Sequence, residues 1–273
     1  MVTLRSNQLK LLRMTPDEFQ SKLANARALD FGTIFNHSIE LFKKSWLYGF
    51  LMQLFVIIIM MPFILIFYVP FVFAVVAQSE TGDFDPSTAS GLLEGFTLVY
   101  GLLFMVGILV VAAIQVALNA AFFRILRTLD AGGEVRISDL FYFMKGDYFG
   151  KILLLMLVTV LITIPASLAF YLPLIYVMVP LSFFAVIFAF NPEWSVGSIV
   201  SSSFRLGNKK WVLTFGLLVV SYILIMIGAV VTCGIGGLFL ASFIFHPVYY
   251  IYKETIGIDE TSELHQIGAR ETF

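Results

Sequence analysis

The stretch SFRLGNKKWVLTFG, Ser203 to Gly216, decides the fold. Arg205, Lys209 and Lys210 crowd against Trp211, and no charged residue follows until Lys253. IELFKKSWLYGF, Ile39 to Phe50, makes the same switch, from Lys43 and Lys44 through Trp46 into an apolar run. Lysine reaches from the membrane edge toward water while tryptophan sits at headgroup level, so each border reads as the entry point of a membrane span. Extended backwards, Phe31–Trp46 lies on Val196–Trp211 without a gap. Ile34 meets Ile199, Ser38 meets Ser203, Leu41 meets Leu206 and Lys44 meets Lys209.

Both copies have helical periodicity. Polar residues stand at Thr33, Asn36, His37, Glu40, Lys43 and Lys44, and at the same offsets in the second copy; Phe31, Ile34, Phe35 and Phe42 form the other stripe. Each predicts an amphipathic helix lying ahead of a span. A looser third copy, Glu134–Lys151, precedes another apolar run.

The composition requires lipid as solvent. The chain of 273 residues is 59% hydrophobic and 13% charged, with a mean hydropathy of +0.93; soluble domains are about one quarter charged. A spanning helix takes about 20 apolar residues. The charge-free runs Ser45–Ser79 and Gly95–Phe123 supply one span each. Ile152–Pro192 and Trp211–Tyr252 are long enough for two, folding back near Ser167–Pro173 and Cys233–Gly237. Six spans are expected, at 46–70, 96–122, 150–169, 173–190, 211–231 and 236–252. The fold class is all-α: a polytopic membrane protein of three parallel repeats, each an interfacial amphipathic helix plus a transmembrane hairpin. Pro62 and Pro70 predict a bent or broken first span.

With six crossings, all 17 Lys and Arg fall on one side, and the other side carries only Glu80, Asp83, Asp85 and Glu94. Positive residues stay inside, so a multi-pass protein with both termini cytoplasmic is expected. Residues 1–30 read as a leader with one short helix, capped by Thr15 with Pro16 at its first position and Glu18 closing a capping box. Residues 31–252 are the transmembrane domain and 253–273 a polar cytoplasmic tail. Cys233, the single cysteine, reads as a small core residue.

Chemistry is sparse. Gln53, Gln115, Asn119 and His246 are the polar candidates within the spans, with Gln115 and Asn119 one turn apart on one face. Polar groups at that depth serve either interhelical hydrogen bonding or a substrate. His37, His246 and His265 lack ligand-like spacing, and no phosphate loop or nucleophile elbow occurs. No metal, cofactor, catalytic group or nucleic-acid partner is expected. Lys43, Lys44, Trp46, Arg124, Arg127, Lys209, Lys210 and Trp211 are the candidates for contact with membrane lipids or with a protein partner in the membrane.

FFRILRTLDAGGEVRISDLFYF between spans two and three, and SVGSIVSSSFRLGNKKW before span five, resemble a bacterial group of six-span proteins. That group includes YciC-like inner-membrane proteins and the membrane domain fused to some glycerophosphodiester phosphodiesterases. The likeness rests on Gly132, Gly133, Asp139, Leu140, Phe141 and the Ser-rich helix, and covers about residues 31–252. It implies the architecture and the inner-membrane address; the phosphodiesterase domain has no counterpart here. The expected role is a non-enzymatic scaffold or accessory subunit, with export of a lipid-like or apolar solute as the alternative. In a Cys233→Ser background, an impermeant thiol reagent should label Ser87→Cys in intact cells and Ser138→Cys only after permeabilisation. Labelling of both from one side would overturn the six-span order.

Overall fold

The computed structural model describes residues 14–80, 99–169 and 171–258. These form nine α-helices and two 3-10 segments, with no strand among the described residues. In chain order the helices are α1 (Pro16–Ala24), α2 (Phe31–Glu80), α3 (Val99–Asp130), α4 (Gly146–Leu168), α5 (Leu172–Phe190), α6 (Val196–Lys209), α7 (Trp211–Val231), α8 (Ile235–Leu240) and α9 (Phe245–Ile256). The 3-10 segments are Ile137–Met144 and Ala241–Ile244. Six segments are long and apolar enough to cross a membrane: Phe31–Ile66, Gly101–Asp130, Tyr148–Leu168, Leu172–Phe190, Trp211–Val231 and Ile235–Ile256. The chain is a multi-pass integral membrane protein. The segment 78–94 that joins the first two spans falls almost wholly outside the described residues, as do His265 and most of the tail.

Three expectations are corrected. The first amphipathic helix and the first span are one helix, α2, of 50 residues. It passes Pro62 and position 70 without ending. Each proline deletes one backbone hydrogen bond, whereas opening the helix in an apolar medium would expose several. At 1.5 Å per residue α2 is about 75 Å long, well beyond a hydrocarbon core of about 30 Å. Second, the looser copy is a 3-10 segment, not an amphipathic α-helix, so the three pre-span segments take three forms. Third, the tail begins later than Lys253, because α9 continues to Ile256.

Where α6 and α7 break at Lys210 (φ −112°, ψ 21°), the chain carries Gly207 and Asn208; the aligned positions in α2 are Phe42 and Lys43, both better helix formers. The buried stripe nonetheless matches at a constant separation. Ile34, Ser38, Leu41, Ser45, Gly49 and Met52 are buried in α2; Ile199, Ser203, Leu206, Lys210, Thr214 and Leu217 are buried at the aligned positions. Even the local hydrogen bond recurs: Ser38 Oγ donates to Ile34 O at 2.7 Å and Ser203 Oγ to Ile199 O at 2.8 Å.

The turns use left-handed backbone. After α3, Gly132 (φ 77°) lets its own N–H reach Leu129 O at 3.2 Å and the Gly133 N–H reach Thr128 O at 2.8 Å, the paired bonds of a Schellman cap. The α7 end repeats the pattern, with Cys233 N–H on Val230 O and Gly234 N–H on Ala229 O. There Cys233 (φ 52°) and Gly234 (φ 97°) are both left-handed, and Cys233 is exposed in the turn, whereas the core was expected for it. α1 is capped by Thr15 Oγ1, which accepts from the Glu18 N–H at 3.2 Å. The Glu18 carboxylate pairs with Lys22 at 3.1 Å and does not close a capping box.

The core sits toward the basic ends of the helices. Residues 113–126 of α3, 177–189 of α5, 214–221 of α7 and 246–256 of α9 hold its buried side chains, joined by Phe19 of α1 and by Leu140 and Phe143. Beyond that zone the helices are clothed in exposed Ile, Leu, Val and Met, as at Ile58, Leu65, Leu103, Leu161 and Val230. Only 11% of the most apolar window of α2 is buried, against 50% in α5. Lipid is therefore the main neighbour of α2 along much of its length. Phe19 meets Trp194 edge-on at 5.7 Å and Tyr252 at 6.4 Å, which docks α1 under the bundle.

Close approach fixes how α6 meets α5. A Cβ on Gly207 would stand 2.7 Å from Pro180 Cα, a backbone atom that cannot step aside. Gly207→Ala should cost about 1–3 kcal/mol through overpacking and lower the thermal midpoint in detergent. Gly101→Ala, where a Cβ would meet nothing within 4 Å, should leave the midpoint unchanged or raised.

Candidate functional site

The basic ends of the helices are tied to one another by polar contacts between distant parts of the chain. Lys209 Nζ donates to Leu23 O and, at 2.8 Å, to Ala24 O; Lys210 Nζ donates to Arg27 O at 2.5 Å. Helix carbonyls at a C-terminus lack intrahelical donors and carry partial negative charge, so the Lys209 ammonium stabilises the end of α1, while Lys210 holds the chain three residues beyond it. Burial and the like charge of Lys209 hold the Lys210 ammonium below the ordinary lysine value. Trp194 Nε1 donates to Met14 O at 3.0 Å, and Lys151 Nζ to Pro192 O. Asp30 caps α2, accepting from the Thr33 N–H at 2.8 Å and its hydroxyl at 3.0 Å. Those donors hold its carboxyl below the usual carboxylate range.

A second tie closes α3 onto α9. Asp130 Oδ2 accepts from Tyr249 Oη at 2.9 Å and Lys253 Nζ at 2.6 Å, and Oδ1 accepts from Tyr250 Oη at 2.8 Å. Asp130 is the last residue of α3, where a carboxylate faces the negative end of the helix dipole. Three donors from a single turn of α9 offset that. Nearby, Asn191 Nδ2 donates to Tyr252 Oη at 3.1 Å.

The candidates for lipid or partner contact divide. Lys44 is exposed, Lys43 is exposed in a pair with Glu40 at 2.6 Å, and Trp46 is 42% exposed beside Phe239. The others turn toward protein. Arg124 lies over the Tyr142 ring at 4.0 Å, Arg127 lies 5.9 Å from the Phe190 ring, and Trp211 Nε1 donates to Tyr176 O at 3.1 Å. Beside them, a groove of about 770 Å3 opens between α1 and the end of α9. Lys22, Asn25, Arg27, Lys253 and Glu254 line it together with Thr255. Thr255 Oγ1 is buried without a hydrogen-bond partner among the described residues.

The polar candidates within the spans also separate. His246 is fully buried and accepts at Nε2 from Ser45 Oγ at 2.7 Å, which leaves Nδ1 to donate to Ser242 O at 3.1 Å and Phe243 O at 3.2 Å. Pro247 has no N–H to offer Phe243 O, and the imidazole replaces it. This His–Ser contact is packed among Phe42, Phe122 and Phe243 rings, and it holds the last span together where its helix changes form. Gln53 is half-buried on α2. Gln115 lines a crevice of about 430 Å3 between α2, α3 and α4, where Thr159 is the other polar lining residue. Asn119 is one turn below, and its Oδ1 is buried without a partner among the described residues.

Sequence reading missed Asp130, Asp30 and Thr255. Asp30 has a local signal, an Asp directly ahead of a helix. Asp130 has one of another kind: an acidic residue in a last helical turn predicts a counter-donor elsewhere. No local pattern marks Thr255, which is defined by a groove between distant segments.

No family model, curated protein or solved structure matches the chain.

Asp130→Asn removes the charge that three donors share, and should cost about 1.5–3 kcal/mol, the range for hydrogen bonds to charged groups. Lys43→Ala, which deletes an exposed i,i+3 pair, should cost at most about 0.5 kcal/mol. Thermal unfolding of the two variants in the same detergent checks the contrast.

Proposed function

We propose that the chain is a non-enzymatic scaffold or accessory subunit of the bacterial inner membrane, with its basic side cytoplasmic, and that it engages a protein partner there. The groove between α1 and α9 carries this reading. It is open, its charged lining residues are the cations Lys22, Arg27 and Lys253 against the single anion Glu254, and it is framed by segments already fixed to one another through Lys209, Lys210, Asp130 and Trp194. A surface ordered before binding loses little entropy on association, and a net cationic lining favours an acidic segment. The resemblance to YciC-like proteins accords with the same address.

A second reading, movement of a lipid-like or apolar solute, is favoured by the crevice at Gln115.

Crosslinking in native membranes followed by purification tests the first. Recurrent recovery of one partner, crosslinked to residues 21–29 or 253–257 and diminished by Arg27→Glu, is the expected result. Repeated isolation of the protein alone would count against a scaffold.

A further inference from the structure

The crevice between α2, α3 and α4 has a definite chemical character. Its wall is almost wholly apolar, with Met60, Phe63, Ala112 and Met156 among its residues, and its polar groups are Gln115 and Thr159. Its volume of about 430 Å3 falls within the roughly 300–1,000 Å3 typical of small-molecule sites. At one end α2 and α3 close over it: Gly107 has no Cβ, which lets the Phe63 ring lie against α3, beside Phe104 at 5.2 Å. At the other end lie the buried Ala113 and Ala117 of the core.

The polar groups indicate which ligand fits. The Gln115 amide makes no side-chain hydrogen bond among the described residues. Thr159 Oγ1 donates its proton to Leu155 O at 2.9 Å and keeps only lone pairs for a visitor. One and two turns on, Thr163 Oγ1 donates to Thr159 O at 2.7 Å and Ser167 Oγ to Thr163 O at 2.9 Å. The three hydroxyls thus form a half-buried row of acceptors along one side of α4, running from the crevice to the α4–α5 turn. Such a row suits a ligand that brings hydroxyl donors. No charged side chain among the described residues lines the crevice, so a phosphate or carboxylate there would lie at membrane depth without a counter-ion from them, at a cost of several kcal/mol.

We infer that the crevice binds an uncharged, hydroxylated lipid of the diacylglycerol class, its chain against Met60, Ala112 and Met156 and its hydroxyl on Gln115. This binding does not depend on the scaffold reading, since it uses none of the groove residues.

Full-length protein in phosphatidylcholine nanodiscs, irradiated with a diacylglycerol carrying a diazirine in its acyl chain, tests the site. Adducts are expected within 60–63, 108–116 and 156–160. Unlabelled diacylglycerol should displace the probe, and phosphatidic acid with the same chains should not. Gln115→Leu keeps size and removes the amide, and should reduce the preference for diacylglycerol over its phosphate by roughly 10-fold, one hydrogen bond's worth. Ala112→Trp, accepted only if its thermal midpoint matches the parent, should abolish crevice adducts. Adducts spread evenly over the exposed faces of α2 and α3, equal displacement by phosphatidic acid, or an unchanged preference in Gln115→Leu would each overturn the assignment.

Discussion

At membrane depth a polar group must find its partner within the protein, because lipid chains offer none. The hydroxyls obey this locally: Thr159, Thr163, Thr214 and Ser221 each donate to the carbonyl four residues back. The same constraint keeps α2 whole past Pro62, since a broken helix would leave more groups unpaired than a proline does. It also sets the terms on which the last span changes form. The chain passes from α8 through a 3-10 segment into α9, and the carbonyls of Ser242 and Phe243 share the His246 ring. Ser45 in turn donates to the other nitrogen of that ring. A histidine in an apolar bundle is thereby accounted for by the backbone bond that Pro247 cannot make to Phe243 O.

Where water returns, the polar contacts change from local to long-range. Lys209 and Lys210 reach back some 185 residues in sequence, to Ala24 and Arg27, and Lys253 reaches Asp130 over 123. These ties and the core occupy the same end of the bundle. Among the described residues, the opposite portions of α2 and α3 meet at Phe63, Phe104 and the missing side chain of Gly107. Stability is concentrated at the basic side, and the far side is left to lipid. The proposed lipid between α2, α3 and α4 would leave the groove between α1 and α9 undisturbed, since the two share no lining residue.

Much of this was legible in sequence, for a physical reason. The number and order of the spans depend on solvation, and solvation is written residue by residue in charge and apolarity. Both fold-back points were visible as well: Gly234 stands at the turn after α7, and Pro173 lies in the first turn of α5. The form of the pre-span segments was not legible. FNHSIELFKKSW and SSSFRLGNKKW share polar spacing, yet one continues into its span and the other breaks, because Gly207 and Asn208 loosen the second and Lys210 is drawn to Arg27. Nor could spacing show which of the basic residues turn toward protein. Arg124 and Lys209 look alike in the chain; one lies on a tyrosine ring, and the other completes a helix 185 residues away.

The matched buried stripes of α2 and of α6–α7 bear on why the border is written twice. Aligned positions bury the same small serine with the same back-bond, then diverge where partners differ: Ser45 meets His246, and the aligned Lys210 meets Arg27 O. Gly49 admits Ser242 into direct contact, and the aligned Thr214 instead bonds its own helix. The common part is what any helix needs to lie against this core. The divergent part is set by the neighbour each helix found, the last span for α2 and the α1 end for α6. A shared stripe with separate partners accounts for a similarity that stops at the membrane border, and it places the functional differences between the two halves on the residues that the alignment does not share.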